Sequence, residues 1–238
     1  AGKEKISECN MLILGMGTGT YAEQCKKYFG KMDIEGVEID EKITGLSRKY
    51  FNLSDDVKVT TYDGRAYLNI VDKKYDIIMV DAYQDITIPF QMSSVEFFTM
   101  VKEHLADDGI MIVNMNMRGE HEGDINEYLA DTISSVFSNV YTVDVKGSTN
   151  RELFASQNCN MIKNLESRQK KLVDNSLKSM MSEVRLNLTK YSEGKHIMTD
   201  EKAPVELLGM KVIDELIFDE VEYYKNIYEE KGIKGLLE

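Results

Sequence analysis

The 238-residue chain is 42% apolar and carries a formal charge of −12, which fits one α/β core with an extension and disfavours non-specific contact with nucleic acid or anionic membrane. Three scattered cysteines, Cys9, Cys25 and Cys159, share no metal-ligand spacing with His104, His121 or His196, so no metal site is expected and the thiols suggest a reducing, cytoplasmic setting. No apolar run approaches the roughly 18 residues of a membrane span, no signal-peptide pattern is present, and the abrupt entry into a core strand without an initiator Met suggests a fragment of a longer chain.

Residues 10–14 read as the first strand, followed by the turn Gly15-Met16-Gly17-Thr18-Gly19 and a helix over 21–29. A second strand over 34–39 carries Glu38 at its tip, and Asp40 just beyond reads as the cap of a helix over 41–51. A strand over 57–61 and a short helix over 64–70 come next. Residues 76–81, Asp-Ile-Ile-Met-Val-Asp, are apolar between their end acids, as a strand buried on both faces requires. A helix over 94–105 is capped by Ser93 or Ser94, and a strand over 110–114 follows the turn Asp107-Asp108-Gly109. A helix over 125–137 and strands over 140–145 and 153–156 close the pattern, with Gly147-Ser148-Thr149-Asn150 as a hairpin turn. This order predicts a doubly wound, mostly parallel, seven-stranded Rossmann-like sheet. Strand signals then vanish: residues 161–188 read as helix, 191–195 as a polar break, and 199–206 as a capped helix start with Pro204 in its first turn.

The spacing Gly15-x-Gly17-x-Gly19 followed by Glu38 marks a nucleotide-binding βαβ unit. Thr20 stands where a dinucleotide fingerprint needs its last Gly or Ala, so a nucleoside without phosphates, such as S-adenosylmethionine or a relative, fits better than NAD. In open α/β sheets the ligand lies outside the carboxyl ends of the strands. Those ends supply Gly15, Gly17 and Gly19, then Glu38, then Asp63-Gly64, then Asp81. Glu38 suits a ribose diol, because a carboxylate accepts two hydrogen bonds at once. Asp63 can accept from an adenine amino group, with Gly64 letting the base lie against the backbone. Asp81 opens a long irregular segment, the kind that carries function, and Tyr83, Gln84 and Asp85 are candidates for substrate contacts. Residues 118–123 can form a lid, in which His121 reads as a solvated loop residue. On this reading residues 1–160 are a nucleoside-binding domain and 161–238 a helical extension packed on it.

Leu-Gly-Met-Gly-Thr-Gly, Gly-Val-Glu-Ile-Asp, Tyr-Asp-Gly-Arg-Ala-Tyr-Leu, Tyr-Asp-Ile-Ile-Met-Val-Asp-Ala-Tyr and Ile-Pro-Phe-Gln-Met-Ser-Ser-Val-Glu-Phe-Phe occur in this order between residues 10 and 157. The set resembles the spermidine synthase, or polyamine aminopropyltransferase, family, which has the class I S-adenosylmethionine-dependent methyltransferase fold. Residues 199–208 also resemble a segment near the end of spermidine synthase-like proteins. The resemblance implies transfer of the aminopropyl group of decarboxylated S-adenosylmethionine to a small amine such as putrescine. By position, Glu38 would bind the ribose, Asp63 the adenine, and Asp81 would be the catalytic acid–base residue. The usual Asp-Ser-Ser-Asp-Pro is Asp81-Ala82-Tyr83-Gln84-Asp85 here, so the second acid is one place displaced. The family carries an N-terminal β-rich domain, which the residues before 10 cannot be, so the resemblance leaves two readings: that domain was cut off, or this branch never had it. The resemblance also admits a homodimer, and a membrane portion in a longer parent chain.

Two other readings compete. A small-molecule methyltransferase would share the nucleoside pocket but would need a cation for the carboxylate of intact S-adenosylmethionine, and Lys26 and Lys27 lie far along the first helix. A catalytically inactive nucleoside-binding domain would retain the pocket and lack turnover.

Overall fold

The computed structural model describes residues 6–83, 87–116 and 122–236. Its parallel core comprises β1 (Asn10–Leu14), β2 (Asp33–Glu38), β3 (Lys58–Thr61), β4 (Tyr75–Val80) and β5 (Leu105–Met115). Helices α1 (Thr20–Phe29), α2 (Glu41–Phe51), α3 (Gly64–Ile70) and α4 (Val95–Glu103) connect these strands. After α5 (Ile125–Val136), β6 (Asn139–Asp144) and β7 (Arg151–Ser156) form an antiparallel pair, and β7 runs antiparallel to β5. The sheet order is β3-β2-β1-β4-β5-β7-β6-β8, where the two-residue β8 (Thr189–Lys190) adds an eighth, edge strand to the seven expected. The order reverses direction between β1 and β4, which opens a crevice at their carboxyl ends.

Side chains alternate across a strand, so β1 feeds two cores. Leu12 and Leu14 pack with Phe97, Phe98 and Val101 of α4 and Leu129, Ala130 and Ile133 of α5. Met11 and Ile13 pack on the opposite face with Ala22 and Cys25 of α1. Each of the Leu, Ile, Met, Phe and Val side chains among them contributes about 1.5–3 kcal/mol on full burial. This two-sided cover is why β1 and β4 read as continuous apolar runs.

Several boundaries differ from the sequence reading. β4 ends at Val80, so Asp81 stands just past the strand and not within it. The Asp107-Asp108-Gly109 segment is an irregularity inside β5: Tyr75 pairs with Leu105 and Ile77 with Ile110, so the intervening residues bulge out. The single helix expected over 161–188 is two, α6 (Met161–Gln169) and α7 (Asn175–Asn187), because Asp174 accepts from Leu177 N and starts a new helix. Pro204 precedes the long α8 (Val205–Gly235), which has a non-helical residue at Gly232.

Residues 191–202 bind the C-terminal part to the sheet domain. Asp131, 1% exposed, accepts from Tyr191 Oη at 2.6 Å and from His196 N at 2.9 Å. A Cβ on Gly194 would lie 1.8 Å from Asp131 Oδ1, so only glycine lets this segment pass. Arg65 of α3 makes two bonds to Asp200, at 2.7 and 2.6 Å, which Ser94 Oγ joins at 2.5 Å. Met198, Val205 and Val212 complete the α4–α5 core. Beyond them α8 exposes apolar side chains, including Ile217, Phe218 and Val221. Among the described residues no helix is long and apolar enough to cross a membrane.

Candidate active site

The glycine turn is shaped by close approach. Gly15 has φ +85°, and a Cβ there would lie 2.3 Å from the carbonyl oxygen of Asp81. Any side chain would drive the β1 turn off the end of β4. Gly15 N and Met16 N donate to Val37 O at 2.9 and 3.0 Å, and Asp81 N donates to Leu14 O at 2.9 Å. Three strand ends are thereby fixed against one another. Gly17 and Gly19 also have positive φ, and Gly19 faces Leu53.

A cavity of about 420 Å³ opens at this point, a size suited to a nucleoside. Gly15, Gly17, Glu38, Asp63, Gly64 and Asp81 all line it, with Val37, Ile39, Ile43, Pro89 and Met92 as apolar walls. Gly19 does not line it; it serves the start of α1. Glu38 is 7% exposed; its Oε2 accepts from Gly17 N at 2.7 Å and its Oε1 from Asp40 N at 3.0 Å. A carboxylate offers about four lone-pair positions, so both oxygens retain acceptor capacity. Asp40 caps α2 by accepting from Lys42 N at 2.7 Å. Asp63 caps α3 through Oδ1, which accepts from Ala66 N at 2.7 Å, while still facing the cavity.

Asp81 is more than half-buried. Asn114 of β5 donates to its Oδ1 at 2.9 Å, and the Asn114 oxygen accepts from Asn150 at 2.8 Å, which turns the Asn114 NH2 toward Asp81. Burial raises the Asp81 pKa, and the Asn114 hydrogen bond opposes that rise. Tyr83 lines the cavity, but its hydroxyl is engaged with the end of β5: it donates to Asn114 O and accepts from Asn116 N at 2.7 Å. Its hydroxyl thus braces the end of β5, and its place on the cavity wall keeps it among the candidates for substrate contact. Gln84, Asp85 and His121 lie outside the described residues.

Glu152 was not singled out from the sequence. It sits on β7 opposite Asn114, shares that residue's face, and has its pKa pushed up to about 7 by burial and then by the charge of Asp81. Tyr21, in the first turn of α1, feels both acids, and burial raises its phenol pKa. The sequence reading starts this strand at Leu153, one residue too late to take in Glu152, whereas β7 begins at Arg151. Among the described residues, one trio offers metal-type donors: Glu127, Asp131 and His196. His196 Nδ1 lies 3.4 Å from Glu127 Oε1 and 3.3 Å from Asp131 Oδ2, and none of the three lines the cavity.

The strand order and the crevice at its reversal define a class I methyltransferase-type fold. Human methyltransferase-like protein 13 in complex with SAH matches it with a TM-score of 0.59 and 21% identity, over 75% of this chain and 81% of that one. A spermidine synthase in complex with the transition state analogue AdoDATO matches with a TM-score of 0.59 and 18% identity, over 71% of this chain and 62% of that one. The chain belongs to the spermine/spermidine synthase domain family, whose model matches residues 2–148. A probable polyamine aminopropyl transferase of Bifidobacterium longum is 53% identical over 95% of this chain and 54% of its own length. The chain spans about half the length of the first curated relatives it matches.

Proposed function

We propose that this chain is an aminopropyltransferase domain that moves the aminopropyl group of decarboxylated S-adenosylmethionine to a small amine such as putrescine. The observation that carries this reading is the setting of Asp81: a half-buried carboxylate on the wall of a nucleoside-sized cavity whose described lining includes no Lys or Arg. The carboxylate of intact S-adenosylmethionine would meet an acid and no cation there. Family membership supports the same reading.

In this reading Asp63 receives the adenine amino group, Glu38 the ribose diol, and Gly15, Gly17 and Gly64 let the backbone close on the nucleoside; Gly19 positions α1. The bound donor supplies a carbon activated by a sulfonium, which departs as a neutral thioether. The chain's remaining tasks concern the acceptor. Its nitrogen must be unprotonated to attack, although alkylammonium groups ionise near pH 10. Asp81 accepts that proton or shares it, and stabilises the ammonium that forms. Its burial-raised pKa favours that role, and Asn114 aims the carboxylate. The cavity walls hold nitrogen and carbon in line, which supplies much of the remaining acceleration. Gln84 and Asp85 belong to the proposed acceptor side by sequence position alone.

The test is turnover of putrescine with decarboxylated S-adenosylmethionine, read as 5′-methylthioadenosine release. Asp81→Asn is expected to lower kcat about 10²- to 10⁴-fold while nucleoside binding persists. Release that is equally fast in Asp81→Asn removes the acid–base assignment, and absence of release in the wild-type chain removes the reading. The proposal also includes the division near residue 160, a cytoplasmic location in keeping with the free cysteines, and self-association as a homodimer, which sedimentation would check.

A further inference from the structure

The sheet order sets the crevice out as a line. Asp63 follows β3, Glu38 ends β2, Gly15 follows β1 and Asp81 follows β4; the next two strands are β5, with Asn114, and β7, with Glu152. The proposed donor lies along this edge in the same order: adenine, ribose, sulfonium, then an aminopropyl chain ending in an ammonium. The nucleoside occupies the β3-to-β4 stretch. The chain beyond sulfur therefore runs toward β5 and β7, along the face that Asn114 and Glu152 share.

Glu152 is dressed for a cation. It is half-buried, with no hydrogen-bond donor or cationic partner among the described residues. Its charged neighbour is Asp81, and Tyr21 stands near both acids from the first turn of α1. β4 and β7 are two strand spacings apart, roughly 10 Å of backbone, and the two acids are near enough for the charge of Asp81 to be felt at Glu152. A carboxylate left unpaired beside a second one is costly unless a cation arrives. Its neighbours on this side, Asp81, Asn114 and Tyr21, bring no positive charge.

We propose that Glu152 is a specificity-determining residue that receives the terminal ammonium of the donor's aminopropyl chain and rejects the carboxylate that intact S-adenosylmethionine carries next to it. The assignment rests on the aminopropyltransferase reading for the identity of the donor, but its test needs binding alone.

Calorimetry would titrate the chain with decarboxylated S-adenosylmethionine, with S-adenosylmethionine, and with 5′-deoxy-5′-(dimethylsulfonio)adenosine, which keeps the sulfonium and lacks the ammonium. The wild-type chain is expected to bind the decarboxylated donor tightest of the three. In Glu152→Gln its advantage over the ammonium-free sulfonium should shrink roughly 10- to 100-fold, the scale of a hydrogen-bonded charge, and the rejection of S-adenosylmethionine should weaken. Glu152→Asp keeps the charge and should keep most of the preference. A merely structural role would weaken all three ligands together and overturns the inference. So does a wild-type chain with no preference for the decarboxylated donor, an outcome that needs no variant to fold. If Glu152→Gln alters only the KM of the acceptor amine, the ammonium it serves is the acceptor's and the assignment fails. A chain that shows the preference but never turns over would sink the proposed function and leave this inference standing.

Discussion

Glu38 and Glu152 stand on the same edge of the same sheet, and the fold treats them in opposite ways. Glu38 is nearly inaccessible, yet it takes one backbone N–H on each oxygen, from Gly17 and Asp40. Asp63, its neighbour in the cavity, also has a backbone donor, from Ala66. Across the crevice Asp81 has one side-chain amide, and Glu152 has no donor among the described residues. The difference lies in backbone supply. Glu38 and Asp63 sit where the chain turns into loop or helix, and such places offer N–H groups with no other partner. On the β4–β5–β7 side the strands consume one another's N–H groups. A carboxylate already steadied by backbone donors suits neutral hydroxyls and amino groups with its remaining lone pairs; one starved of donors favours protonation or a cation. Burial raises the pKa of both Asp81 and Glu152, against one amide donor at Asp81 and with the charge of Asp81 adding to the rise at Glu152.

The strongest blow to this contrast falls at Gly15, which joins the two halves. Gly15→Ala places a Cβ 2.3 Å from Asp81 O at positive φ, and is expected to cost about 3 kcal/mol or more in urea unfolding. A variant of wild-type stability would mean that the turn does not press on β4. The second test uses pH. The Glu152 pKa rises from 4.5 to about 7 in the folded chain, so its protonated form favours folding below the unfolded value and that contribution is lost as pH rises through about 7. Its full size is up to about 3 kcal/mol. Melting temperatures at pH 5 and pH 8 should therefore converge in Glu152→Gln relative to wild type, with Asp81 leaving a residual slope of the same sign. Parallel slopes would place Glu152 in a wetter setting. On the backbone-steadied side, Glu38→Ala should weaken nucleoside binding by about 1.5–3 kcal/mol, and an unchanged Kd would move the ribose elsewhere. The smallest effect belongs to Tyr83→Phe. It removes the brace to Asn114 and Asn116 and should cost about 1 kcal/mol of stability, with little change in nucleoside affinity.

The backbone-steadied half was legible in the sequence, and the starved half only partly. Glycine spacing and an acid at the next strand tip are local signals, so the residue pattern alone suffices to gather Gly15, Gly17, Glu38, Asp63 and Asp81 around one cavity. The rule behind that placement looks at the carboxyl ends of parallel strands. β7 runs the other way, so its first residues, Glu152 among them, lie at the same sheet edge as the carboxyl ends of the parallel strands, where that rule does not look. Gly19 shares the spacing of its neighbours, but the spacing does not say which glycine lines the cavity and which only starts a helix. The division of 161–188 at Asp174 turned on a capping hydrogen bond to Leu177 in a stretch whose composition is helical throughout. The bulge in β5 depends on register with β4, which no local pattern encodes.

Arg65 ties these observations to the far end of the chain. Besides gripping Asp200, it donates to the carbonyl of Gln91 at 2.9 Å, and Gln91 borders the cavity. One guanidinium thus buttresses the cavity wall and anchors the tail at once. Trimming the protein to its sheet in search of a minimal binder would cut this mooring when Asp200 goes, and the wall around Gln91 and Met92 would lose its outer support. Tail and pocket are in this sense a single mechanical unit, and an alteration to one will be felt as a change of grip in the other.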